Sequence, residues 1–206
     1  MEGKNLTAEQ SLEIIRESIE RSQRTMAKKS ALPMLWWGVC VILLALVISY
    51  FWKNHGGYMN FLWILIWPLG YVGEWLIGKK QEAIPTPFVG KVIGQVWGTL
   101  GIFCGGIGIL LGLIGGGFLP MKWIEPSVFV LGSITSLFSL CFGISTTITG
   151  SVIQNRLIQI CGFLAGIGGF WGALHFLDYR QMYVMAGVAF IGLVLPGVIV
   201  YLQNKN

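Results

Sequence analysis

The chain has 206 residues, 54% of them hydrophobic and only 11% charged, with a formal net charge of +5. A soluble domain carries about 25% charged residues, and apolar runs of at least ~18 residues recur here, so the solvent is a bilayer. This excludes an ordinary soluble enzyme, a secreted disulfide scaffold and a free nucleic-acid binder. It predicts an all-α polytopic membrane protein, with six transmembrane helices in an antiparallel bundle after an N-terminal amphipathic helix.

Residues 7–29 read as that first helix. Thr7 is the candidate N-cap and Gln10 completes a capping box. Glu9 and Glu13 sit in the first turns and Lys28 and Lys29 near the end, which complements the helix dipole. Glu17–Arg21 and Glu20–Arg24 are i,i+4 pairs. Leu12, Ile15, Ile19 and Met26 form a narrow apolar stripe, with Ile14 beside it. Pro33 is expected to end this helix and start the first span. The chain then divides into a cytoplasmic helix (1–33), a six-span domain (34–202) and a short cytoplasmic tail (203–206). What the stripe touches is open at this level. It rests on the protein's own loops or on headgroups, or it docks a second chain, either its own copy or a soluble cytoplasmic protein. Acids and bases nearly balance, so adhesion to anionic lipid is weak, each base being worth only ~1 kcal/mol. Leu12, Ile15 and Ile19 are the candidate interaction residues.

The spans are expected at roughly 34–52, 58–78, 92–117, 127–149, 156–176 and 181–202. Each holds about 20 residues, enough for ~30 Å of hydrocarbon. Short connections predict that consecutive helices are antiparallel neighbours. No cleavable signal peptide precedes the first span, which is expected to act as its own insertion signal. Pro68 and Pro196 predict kinks in spans two and six, and Gly115, Gly116 and Gly117 an end to span three.

The 29 glycines are about twice the usual share and form stripes. Span three has Gly94, Gly98, Gly101, Gly105, Gly108 and Gly112. Span four has Gly132, Ser136, Ser139, Gly143, Thr147 and Gly150, and span five Gly162, Gly166, Gly169 and Ala173. Small residues let helix backbones approach closely, so spans three to five are expected to form the tight core. The alternative is a narrow path lined by the Ser and Thr of span four.

Charge sets the orientation. Lys4, Arg16, Arg21, Arg24, Lys28, Lys29, Lys79, Lys80, Lys91, Arg156 and Lys205 fall on one side, and Lys53, Lys122 and Arg180 on the other. The positive-inside rule places both termini in the cytoplasm. Trp36, Trp37, Trp52, Trp75, Trp123 and Tyr201 fall where an interfacial aromatic belt is expected.

Intramembrane ionisable residues are functional candidates. Glu74 is the one here, either reaching the headgroups or a lysine, or forming a proton or cation site with Gln95 and Thr99. His175, Asp178 and Arg180, with Tyr179, make an outer polar cluster whose plain reading is a structural interhelical loop. His55 and His175 are the sole pair available as haem ligands, and the context of His55 speaks against that role. Cys40, Cys104, Cys141 and Cys161 lie in apolar runs with no metal spacing, and Cys104 and Cys141 are expected at similar depth. No catalytic motif, metal site or cofactor site is read.

Several stretches carry a resemblance: Leu6-Thr7-Ala8-Glu9-Gln10-Ser11-Leu12-Glu13-Ile14-Ile15, Trp37-Gly38, Pro68-Leu69-Gly70, Gly143-Ile144 through Thr149-Gly150, Gly162-Phe163 and Leu195-Pro196-Gly197. In these the chain resembles a family of six-helix bacterial inner-membrane proteins of unassigned activity, which look like companions of small winged-helix regulators in operons. The resemblance implies no catalytic residues. The expected function is therefore non-enzymatic: sensing, regulation or partner interaction through the N-terminal helix. The alternative is a small oligomeric transporter or channel for an ion or small solute.

Overall fold

In a computed structural model the described residues are 8–79, 88–115, 118–119 and 126–203. Lys4, Thr7, Lys80, Gly116, Gly117, Lys122, Trp123 and Lys205 lie outside them. The described residues are helical without a strand: α1 (Ala8–His55), a 3-10 segment (Gly57–Leu65) that runs into α2 (Ile66–Gly78), α3 (Phe88–Gly115), α4 (Pro126–Ile153), α5 (Arg156–Leu174), α6 (Gln181–Ala189), a π-helical turn (Phe190–Val194) and α7 (Leu195–Gln203). Six stretches are long and apolar enough to cross a membrane, at the places the hydropathy predicts.

Helix α1 has 48 residues, or about 72 Å at 1.5 Å per residue, over twice the ~30 Å of a hydrocarbon core. The expected break at Pro33 is absent, because the proline lies inside one continuous helix. Packing on both sides of it overrides the lost N–H. Ala31 and Met34 are buried in the main core cluster with Phe142, Ile158, Ala165, Val188, Leu193 and Val200, and Gly197 of α7 lies against Leu35 and the Ala31 carbonyl. The far half of α1 packs Leu44, Ala45, Ile48 and Trp52 against Met182.

The other two prolines change the helix type. The 3-10 segment becomes α-helix just before Pro68, which sits in the first turn of α2, where a missing N–H costs little. Ahead of Pro196 the ladder widens to a π-turn, in which the Leu195 N–H reaches Phe190 O. The proline ring would otherwise press on the carbonyl of Gly192, four residues back. Gly56, at φ 112°, makes the turn between α1 and the 3-10 segment, in a conformation that only glycine adopts readily.

Helices α4 and α5 are the closest pair. A Cβ on Gly143 would lie 2.2 Å from the Gly166 Cα, one on Gly162 2.5 Å from the Thr147 nitrogen, and one on Gly150 2.6 Å from the Gln159 nitrogen. Their turn is closed by Gln154 in the left-handed region (φ 59°) and by Asn155, whose Oδ1 accepts from Leu157 N and Ile158 N at 3.0 and 3.3 Å. The expectation of a tight core holds for these spans and fails for span three. A Cβ on Gly94, Gly98, Gly105 or Gly112 would meet nothing within 4 Å. Helix α3 instead meets the bundle through Trp97, Leu100, Leu111 and Ile114. Consecutive helices are also not all neighbours. Helix α2 packs on α1 and α3 on α4, and the two meet where Trp67 reaches Gly101.

Small polar side chains share the core with apolar ones, and many large apolar side chains face outward. Ser49, Ser136, Ser139, Thr146, Thr149 and Gln181 are buried, while Leu43, Ile102, Phe103, Ile109, Ile160, Phe163 and Leu164 are exposed.

Candidate functional site

Two tryptophans of α1 meet α2 around Glu74, the acid of the second apolar span. Trp36 and Trp37 occupy notches left by two glycines of α2: a Cβ on Gly73 would fall within 1.8 Å of the Trp36 ring, and one on Gly70 within 1.9 Å of Trp37. Seated there, Trp36 Nε1 donates to Leu69 O at 3.0 Å and Trp37 Nε1 donates to Glu74 Oε1 at 2.8 Å. These two residues, expected near an interface, form the α1–α2 joint. The Gly-x-x-Gly spacing of Gly70 and Gly73 opposite a Trp-Trp pair is the signal that points to it. Trp52, also expected at the belt, is buried.

The carboxylate does not take the partners the sequence offers. Lys79 places its Nζ 3.5 Å from the centroid of the Trp75 ring, a cation–π contact. Gln95 and Thr99 line a separate open groove between α3 and α4, with Phe103, Cys141 and Ser145. The expected grouping of Glu74, Gln95 and Thr99 is therefore not assembled. Beside Glu74 lie rings: Trp37 meets Tyr71 edge-on at 6.3 Å, and Trp67 stacks on Tyr71 at 6.1 Å.

The hydroxyls of span four do not line a path. Ser139, Thr146, Thr147, Thr149 and Ser151 donate to the carbonyls of Thr135, Phe142, Gly143, Ser145 and Thr147, each four residues back on their own helix. Bonded this way, they satisfy themselves locally and pack as small residues. Thr149 also accepts from Trp97 Nε1 at 3.1 Å, which ties α3 to α4. The sequence reading missed Gln181, which is fully buried at the start of α6. It accepts from Thr135 Oγ1 at 2.7 Å and donates to the Phe176 carbonyl. A lone amide just inside an apolar run was the available signal.

The outer polar residues are held locally. Arg180 Nε lies 2.9 Å from Asp178 Oδ2, and the Arg180 amide donates to Asp178 Oδ1 at 3.0 Å. His175 Nδ1 lies 2.9 Å from Trp171 O. His55 stacks on Phe51. No group of three metal-binding side chains occurs among the described residues. Cys104 and Cys141 lie beside each other across α3 and α4 as free thiols, at the common depth expected.

At the N-terminal end, Leu12, Ile15 and Ile19 are 67%, 55% and 48% exposed, and every residue from 12 to 21 is exposed. No described segment covers the stripe, so packing on the protein's own loops is not found there. The first buried side chain is Met26, whose sulfur lies 2.8 Å from the Cβ position of Gly90. Gln23 Nε2 donates to Val152 O at 3.2 Å. Glu20 pairs with Arg16 at 3.3 Å rather than with Arg24. Leu12, Ile15 and Ile19 border a shallow notch whose far edge is Gln154.

No family model, curated protein or solved structure matches this chain.

Proposed function

We propose that this is a multi-pass protein of the bacterial inner membrane, with both termini in the cytoplasm, that acts in sensing or regulation. It does so by presenting the N-terminal arm of α1 to a soluble protein. The observation that carries this reading is the contrast within one helix: residues 12–21 stand free, while Met26 to Trp52 is built into the bundle. The arm is rigid because it extends a helix already nucleated and held by packing. Leu12, Ile15 and Ile19 share one face and lead into the notch at Gln154, the form in which an amphipathic helix is gripped by a partner's groove. A second copy is the weaker occupant. A self-paired seam would have to continue through Met26, which is buried, leaving fewer than the ~3 heptads that a coiled coil sustains. The near balance of Glu and Arg on the arm likewise disfavours a lipid surface. The resemblance to companions of winged-helix regulators supports the same class of partner.

The test is affinity purification of the full chain in mild detergent beside a Leu12→Glu, Ile15→Glu, Ile19→Glu variant. The three positions are exposed, so the variant's melting temperature should match wild type. The expected result is a soluble protein that co-purifies with the wild type and is lost from the variant. Identical partners in both samples would reject the reading.

A further inference from the structure

We propose that the groove between α3 and α4 binds a lipid quinone, a neutral flat ring with a carbonyl at each end and an apolar tail. This does not depend on the role of the N-terminal arm. The groove has a volume of about 410 Å³. Val96, Leu100, Phe103, Ile144 and Ile148 form its apolar walls, and Gln95, Thr99 and Ser145 open into it. Three contacts fix the register of the two helices. Trp97 Nε1 donates to Thr149 Oγ1 at 3.1 Å, Cys104 lies beside Cys141, and a Cβ on Gly108 would lie 3.8 Å from the Phe138 ring. Between the first two, Thr99 comes level with Ser145 to within half a turn, and Gln95 stands one turn nearer Lys91. Thr99 is eight residues past Lys91, or ~12 Å along the helix, so in a multi-pass protein it faces hydrocarbon rather than headgroups.

The chemistry of the groove selects the ligand. Ser145 is only 6% exposed, yet its hydroxyl does not bond back to its own helix as those of Ser139, Thr146, Thr147 and Thr149 do. Among the described residues no hydrogen bond engages the Ser145 hydroxyl, the Thr99 hydroxyl or the Gln95 amide. A polar group in hydrocarbon costs free energy until it is bonded. Three such groups converging on one apolar groove are the pattern of a ligand site. None of the lining side chains is charged, which selects against an anionic or cationic head. All three groups are able to donate, so the head must accept. Gln95 and Thr99 lie four residues apart, ~6 Å along α3, about the separation of the two oxygens of a para-quinone. One oxygen then accepts from the Gln95 amide and the other from Thr99 and Ser145, while the tail runs on past Leu100, Phe103 and Ile144.

Photolabelling of the full chain in phosphatidylcholine nanodiscs tests the site. The probe is an azido-benzoquinone with a decyl tail, and the labelled peptides are mapped by mass spectrometry. The label should fall on residues 92–103 and 141–148 and be displaced by unlabelled decyl-benzoquinone. Thr99→Val with Ser145→Ala removes two hydroxyls that no described residue uses, so the melting temperature should stay unchanged while the affinity falls about tenfold or more. Ile148→Trp, at an exposed wall position, should fill the groove and abolish labelling. Retention of the chain in membranes through an alkaline carbonate wash keeps the multi-pass reading separate from this result. Label scattered over other spans, or equal labelling of wild type and the double variant, would overturn the proposal. Displacement by dioleoylglycerol as effective as that by the benzoquinone would overturn it too, because the groove would then take any neutral lipid.

Discussion

Two glycine-rich regions of this chain are packed in opposite ways. In α4–α5 the missing side chains bring backbone against backbone, with Gly143 on Gly166 and Gly162 on Thr147. On α3, Gly94, Gly98, Gly105, Gly106 and Gly112 face open space, while Gly90 and Gly101 receive Met26 and Trp67. The same residue pattern thus makes a closed interface in one place and an open helix face in the other. A small-residue stripe states that a backbone is able to approach closely; only a partner on that face makes it do so.

The largest test of this contrast is Gly143→Leu. Its Cβ alone would sit 2.2 Å from the Gly166 Cα, so the helices must separate. The expected cost is about 3 kcal/mol or more, read as a lower midpoint in an SDS titration followed by circular dichroism. An unshifted midpoint would mean that α4 and α5 are not in backbone contact. A middle effect is expected from Gln181→Leu, which removes the buried link from Thr135 to the Phe176 carbonyl. Buried polar links between transmembrane helices average about 0.6 kcal/mol and reach about 1.7, and the same titration should show a loss near the upper figure. The smallest effect, of opposite sign, is expected for Gly105→Ala. Nothing lies within 4 Å of its Cβ position, and alanine favours a helix over glycine by about 0.5–1 kcal/mol. A fall in the midpoint instead would reveal that another surface, such as a second copy, covers α3 at this height.

The helices themselves were legible. Continuous apolar runs mark spans without reference to neighbours, and the expected limits of α4, α5 and the α6–α7 span lie within a few residues of those observed. The Leu12–Ile15–Ile19 stripe was legible from its spacing, but what covers it was left open, and only the structure shows it exposed. Pro33 was misread because propensity is local, whereas the burial of Ala31 and Met34 is not. That Trp36 and Trp37 pack as knobs was not legible, because an indole serves a belt and a knob alike and the notches left by Gly70 and Gly73 lie on another helix. The Ser and Thr of α4 looked like a polar lining because sequence cannot show that a hydroxyl is already bonded to its own helix.

By itself the sequence determined the all-helical class, the number of helices long and apolar enough to span a membrane and the narrow apolar stripe of the N-terminal arm, because these follow from composition and from a 3.6-residue period along one chain segment. The tertiary structure alone decided which glycines are closed and which stand open, that α1 continues through Pro33, and that Glu74 accepts from the Trp37 indole. Those outcomes depend on which helix lies beside which. The period of a segment describes its own faces and carries no information about the neighbour that meets them.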